Sequence, residues 1–187
     1  MNPRVPLPDD ESLPVEIQER LSSMPPVNVF RMVANAPASF NGFLDFGSSI
    51  MFESEFDPRK REIAILRVAH VTHSIYEWTQ HVTIARMTGV TEEEIEKIAS
   101  DAGVTALDDE GNLLCRVADE ISRDVKLSDG ALAQILDSYG VRGATELILC
   151  VSYYNMISRF LESTRVELEE DSILENDSGP LTDRMKG

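Results

Sequence analysis

Three histidines, the whole complement of this chain, fall within twelve residues at His70, His73 and His81, interleaved with Glu62, Arg67 and Glu77. On a helix beginning near Ser74, the residues Ser74, Glu77, Trp78 and His81 follow i, i+3, i+4 and i+7 and share one face. A carboxylate and an imidazole one turn apart can pass a proton between them, because His titrates near neutrality and burial moves Glu towards the same range. Glu77 and His81 are therefore the candidate acid/base pair. Glu62 lies on the preceding apolar stretch and needs a partner if it is buried; His81 is the expected one. Arg67 reads either as the counter-ion of Glu62 or as an anion anchor for substrate, and the five-residue offset suits the first role poorly.

Each of these residues has a structural alternative. Ser74-x-x-Glu77 also fits a capping box, with His73 and Trp78 placed where a hydrophobic staple would form. His70 and His73 read as surface or interface positions rather than catalytic ones. A metal set of Glu77, His81 and a second histidine lacks the HExxH order, so no metal is expected. Tyr76 and Trp78 serve as packing residues in one reading. In the other they join Ser74 and Arg67 as substrate contacts.

The elements that must position these groups read as helices throughout. Expected segments are 15–23, 27–34, 37–52, 58–72, 74–87, 91–100, 110–126, 128–139 and 144–165. Asp57-Pro58 pairs an N-cap residue with proline at the first helical position. The helix that follows is apolar on every side, the pattern of a helix at a domain centre, with a buried strand as the competing reading. Thr91-x-x-Glu94 is a second capping box. Leu147, Cys150, Val151, Tyr154, Ile157 and Leu161 form one buried stripe. No alternating strand is evident, so the fold class is all-α. The simplest parse is a single domain over residues 14–168, with a Pro/Asp-rich arm at 1–13 and an acidic tail at 169–187, both mobile or borrowed by a neighbour.

Composition narrows the function classes. With 187 residues, 42 % hydrophobic and 27 % charged, the chain supports one sizeable core. A formal charge of -16 repels phosphate backbones and anionic membranes, so neither nucleic acid nor membrane is an expected partner. The N-terminus has no apolar core of a signal peptide, and no run approaches the roughly 18 apolar residues of a membrane helix, so a cytoplasmic protein is expected. Cys115 and Cys150 form neither a CxxC pair nor a disulfide framework, and read as small packing residues.

The sequence resembles the carboxymuconolactone decarboxylase and alkylhydroperoxidase D superfamily from about Asp57 through Ser100. The resemblance rests on Arg61-Glu62, Ile65-Leu66-Arg67, Tyr76-Glu77-Trp78-x-x-His81 and Ala85-x-x-x-Gly89-Val90-Thr91-x-x-Glu94-Ile95, with a weaker echo at residues 153–160. It implies an all-α bundle built on a helical hairpin, a symmetric homo-oligomer (dimer, trimer or hexamer), and no cofactor. In the hydroperoxidase branch the pattern is a Glu, a Cys twelve residues on, a second Cys three further and a His four further. The corresponding positions here are Glu62, Ser74, Glu77 and His81, so carboxylate and imidazole are kept and both thiols are missing. Peroxide reduction needs a thiolate and a resolving thiol, and Cys115 or Cys150 could substitute only if the fold set one beside His81.

What remains resembles the decarboxylase side, where an acid delivers a proton to carbon as electrons leave a carboxylate. The expected activity is a cofactor-independent lyase or isomerase acting on a small carboxylated lactone or enolisable acid, with Glu77 and His81 as acid/base and Glu62 orienting His81. A dianionic lactone suits so acidic a protein only if Arg59, Arg61 or Arg67 lines the pocket. The alternative is a non-catalytic binding or assembly protein whose Glu62, Glu77 and His81 satisfy one another as a buried network. That alternative predicts no cavity reaching His81. A peroxidase-type redox activity is the least favoured reading.

Overall fold

In a computed structural model, described for residues 4–169, the chain forms helices α1 (Val15–Ser22), α2 (Asn28–Ala34), α3 (Pro37–Ser48), α4 (Pro58–Val71), α5 (Ile75–Met87), α6 (Glu92–Ile98), α7 (Asp109–Asp124) and α8 (Asp129–Thr164). There is no strand among the described residues. The expected acidic tail, beyond Glu169, lies outside them.

Helix α4 is the axle. The Asp57 carboxylate accepts from the Lys60 backbone N–H at 3.0 Å and Pro58 takes the first helical position, so the two start signals in the sequence act together. Every residue from Arg61 to Ala69 is buried, because α5, α6, α7 and α8 all pack around this one helix. A helix covered on all sides needs apolar residues on all sides, which settles the helix-or-strand ambiguity. Burying so much of one element also brings its charged residues inside.

Arg67 is the clearest case. Its side chain is fully buried, yet its five donors are all used: two reach Asp119 on α7 at 2.6 and 3.0 Å, and the others reach the carbonyls of Ile98, Ser100 and Ala102 at 2.8, 2.6 and 3.0 Å. Arg67 therefore pairs with Asp119 rather than Glu62, and ties α4 to α7 and to the end of α6.

The hairpin from α4 to α5 closes through His73, whose backbone is left-handed at φ 55°. In that geometry the His73 N–H donates to the His70 carbonyl and the Ser74 N–H to the Ala69 carbonyl, at 3.1 and 2.9 Å, capping α4 as glycine often does. The expected capping box at Ser74 does not form. Ser74 stands at the N-cap, but its hydroxyl is buried and accepts no hydrogen bond from α5, and Glu77 turns inward instead of back towards the cap. Thr91 and Glu94, by contrast, form their box in full. Helix α8 breaks at Gly140, where φ 64° and ψ -178° suit glycine alone, so the two segments expected at 128–139 and 144–165 are its two halves.

Two connections frame the region beside α5. Helix α3 continues into a wide π-type turn at Ser49–Glu53, closed by the Ser54 N–H on the Ser49 carbonyl at 2.9 Å. The N-terminal arm, where described, lies against the rest of the chain. The Val5 N–H donates to the Thr164 carbonyl at 3.1 Å, Arg31 bridges Asp10 at 2.9 Å, and Leu13 joins Ile17, Val33, Phe40 and Leu44 in a small second core.

Candidate active site

The buried face of α5 carries Glu77 and His81 one turn apart, and α4 presents Glu62 to the same point. His81 Nδ1 lies 2.7 Å from Glu62 Oε2, and His81 Nε2 lies 3.6 Å from Glu77 Oε2. Glu62 is wholly inaccessible to solvent, whereas Glu77 and His81 keep 5 % and 6 % exposure. That small residue matters, because both line a cavity of about 290 Å³ between α5, the α2–α3 region and α8. Glu62 does not reach the cavity. Its second oxygen, Oε1, stands 3.6 Å from Arg61 Nε, and neither atom makes a hydrogen bond.

Burial governs the titration of this cluster. It drives the Glu77 carboxyl up to about 7, with His81 pulling down and Glu62 pushing further up. For His81, burial opposes the charged imidazole. The Glu62 carboxylate, through its charge and its hydrogen bond, together with Glu77, outweighs that and holds His81 above its ordinary 6.5. The Glu77 carboxyl, beside His81, is thus placed to gain and lose a proton near neutrality. Glu62 fixes the ring by accepting from Nδ1–H, which leaves Nε2 directed at Glu77.

Much of the remaining wall is apolar and comes from parts of the chain far from this motif. Tyr154 on α8 sets its ring edge-on to His81, 4.8 Å between centroids, and Tyr153 beside it donates to the Phe43 carbonyl at 3.1 Å. Gly47 on α3 faces Tyr153 so closely that a Cβ there would collide with the tyrosine hydroxyl and stand 3.1 Å from its Cζ. Met51, in the wide turn, touches the Tyr154 hydroxyl through sulfur at 3.2 Å. The sequence reading left Gly47 and Met51 without a role. A glycine inside a helical pattern is the one local signal that could have marked the wall.

Of the expected substrate contacts, only Tyr76 lines the cavity. Trp78 packs against the core and sets its ring 6.0 Å from that of His70, because it leaves α5 one step away from the cavity face. Ser74 is buried at the hairpin, and Arg67 has no donor to spare. Arg59 is engaged by Glu94 and the Gly89 carbonyl, and Arg61 sits behind Glu62 beside a separate cavity of about 200 Å³. Among the described residues, the one arginine on the main cavity is Arg20, whose guanidinium holds Asn41 and Asp45 at 2.7 and 2.6 Å.

Neither thiol lies in the main cavity. Burial pushes Cys150 well above the ordinary range, and Glu62 pushes it further, while burial drives Cys115 up to about 12. A protonated, buried thiol is a poor nucleophile. Among the described residues no group of three His, Cys, Asp or Glu side chains is placed to hold a metal ion, and no helix is long and apolar enough to cross a membrane.

Residues 37–120 match the Carboxymuconolactone decarboxylase family, a span that includes the hairpin and all three of Glu62, Glu77 and His81. The fold is similar to that of an alkylhydroperoxidase AhpD core, an uncharacterized peroxidase-related protein from Ralstonia eutropha JMP134, with a TM-score of 0.77 at 16 % identity over 93 % of this chain and 97 % of that one. It is also similar to an uncharacterized peroxidase-related protein from Silicibacter sp. TM1040, with a TM-score of 0.73 at 19 % identity over 89 % and 90 %. No curated protein matches the chain.

Proposed function

For a chain whose residues 37–120 match the Carboxymuconolactone decarboxylase family and whose fold is similar to an alkylhydroperoxidase AhpD core, we propose cofactor-independent acid/base catalysis by Glu77 and His81 on a small, mainly apolar enolisable acid or lactone. The observation that carries this reading is that both side chains open onto one cavity while Glu62 stays behind them. The alternative of a network serving packing alone predicts no cavity reaching His81.

The chemistry follows from the geometry. Glu77 as carboxylate removes a proton from a carbon next to a carbonyl, the C–H electron pair becomes the enolate, and His81 Nε2–H donates to the oxygen that gains charge. Returning the proton to a different carbon isomerises the substrate. If the bond broken is instead one to a carboxylate, carbon dioxide leaves with its oxygens, the bond's electrons form the enolate, and protonated Glu77 delivers a proton to carbon. A group near 7 serves both directions at neutral pH. Glu62 acts on substrate only through His81, as a positioning residue.

Charge limits the substrate. With Arg59, Arg61 and Arg67 directed elsewhere and Arg20 committed to Asp45, the cavity offers a dianionic lactone no free guanidinium among the described residues, while Glu62 and Glu77 oppose a second carboxylate. A ligand with a single carboxylate fits better. Peroxide reduction at this site has no thiol to run on, and a symmetric homo-oligomer in the cytoplasm completes the reading.

The test is hydrogen exchange. A panel of enolisable monocarboxylic acids and carboxylated lactones in deuterated buffer, followed by proton NMR, should show exchange or loss of a carbon-bound proton for at least one compound. Both E77Q and H81Q should abolish it while remaining folded, and E62Q should slow it while lowering the His81 imidazole pKa. If no compound exchanges, and the His81 imidazole ignores the entire panel, the acid/base reading fails and the network is structural.

A further inference from the structure

Helix α5 carries two polar stripes facing the cavity. Glu77 and His81 form one. Tyr76 and Gln80, also one turn apart and displaced by a single residue, form the other, and both line the same space. The second stripe already holds a carboxylate, that of Glu169 in the segment following α8. Glu169 Oε1 accepts from the Tyr76 hydroxyl at 2.6 Å and from the Asn28 backbone N–H, and Oε2 accepts from the Gln80 amide at 2.6 Å. The segment is held nearby by the Asn28 side chain, which donates to the Glu167 carbonyl at 3.0 Å.

These donors are arranged for a carboxylate. The Val29 N–H donates to the Tyr76 oxygen at 3.0 Å, so the phenol's own proton is free to face Glu169. Burial, with the Glu169 contact behind it, keeps that phenol protonated far above neutrality. Both oxygens of one carboxylate are met by uncharged donors, two of which belong to the wall of the cavity where Glu77 and His81 stand.

We propose that Tyr76, Gln80 and the Asn28 N–H constitute a subsite for the carboxylate of a monocarboxylic ligand, which Glu169 occupies in cis and which the ligand takes by displacing it. The proposal deepens the acid/base reading and rests on it for which end of the ligand reacts. The ligand's carboxylate sits on the Tyr76/Gln80 stripe, its apolar body fills the space towards Tyr153 and Met51, and its reacting carbon reaches the Glu77/His81 stripe. Because the subsite is neutral, it accepts one negative charge without drawing in a second.

An internal occupant lowers apparent affinity by the fraction of molecules in which the site is open, so a segment closed nine times in ten weakens binding about tenfold. Isothermal titration of the full chain with hexanoate, and with hexanamide as its neutral counterpart, reads this directly. E169Q is expected to bind hexanoate about tenfold more tightly than wild type, with hexanamide binding unchanged, and Y76F/Q80L added to E169Q is expected to remove the gain. Equal hexanoate affinity in wild type and E169Q overturns the proposal. So does an equal gain for hexanamide, a gain that survives Y76F/Q80L, or hexanoate that binds neither protein. Glu169 is half-exposed and outside the cores, so the decisive comparison needs only a variant that folds. No turnover is read, so a gain in E169Q combined with no hydrogen exchange would leave the subsite standing and sink the acid/base reading; exchange with no gain would do the reverse.

Discussion

Replacing Glu77 by glutamine should flatten the dependence of stability on pH. In the folded protein the Glu77 carboxyl holds its proton up to about 7, whereas in the unfolded chain it ionises near 4.5. Between those values the unfolded state binds fewer protons than the native state, so stability falls as pH rises. Moving a carboxyl from 4.5 to about 7 corresponds to about 3 kcal/mol once both states are ionised, at about 1.4 kcal/mol per pKa unit. His81 adds to the same slope. Its folded pKa is raised, so its contribution is complete below 6.5 and is lost as pH climbs through the folded value. Glutamine keeps the shape of Glu77 and removes its ionisation, and it also withdraws one of the charges that raise His81. E77Q should therefore match wild type near pH 5 and exceed it by about 3 kcal/mol near pH 8. Urea unfolding at intervals across that range supplies the two curves. Curves that run parallel, or a Glu77 carboxyl carbon that titrates near 4.5 by NMR, would refute a buried and destabilised carboxylate.

Other changes separate the scaffold from the site. R67M leaves Asp119 and three backbone carbonyls without their donor, and should cost about 3–5 kcal/mol in urea unfolding, the range for breaking a buried ion pair. Little change would mean that the Arg67 contacts are dispensable. G47A forces Tyr153 off its seat against α3, so a loss of about 1–3 kcal/mol is expected in thermal unfolding, together with weaker binding of hexanoate. The thiols of Cys115 and Cys150 should resist a thiol reagent in the native protein and react on unfolding, and C115A/C150A should leave any hydroperoxide consumption unchanged.

The helical frame was legible because its signals are local. Asp57-Pro58, the Thr91/Glu94 box and the break at Gly140 each act within a few residues, whereas the apolar run of α4 left helix and buried strand open until its neighbours were seen on every side. The triad of Glu62, Glu77 and His81 was legible for the same reason, since a helical spacing and a need for a buried partner fixed it. Ser74-x-x-Glu77 shows where such reasoning stops. The same four residues describe a cap and an inward-facing carboxylate, and the choice depends on what α4 places opposite Glu77, which is not written in the spacing. Arg67 fails similarly, because its partner Asp119 lies 52 positions away. The cavity wall is harder still: Phe43, Gly47, Met51 and Tyr153 meet only after α3, the turn that follows it and α8 have packed.

The wide turn at Ser49–Glu53 has a consequence for how such a cavity changes over generations. A π-type turn is an α-helical turn that has accepted one additional residue. Here the turn that follows α3 carries Met51, whose sulfur meets the Tyr154 hydroxyl at 3.2 Å. Deleting one codon in this stretch would restore ordinary winding and swing that side chain by about 100°, one residue's step around the helix. The cavity wall at Met51 thus depends on the winding of this turn, while Glu62, Glu77 and His81 are carried by α4 and α5.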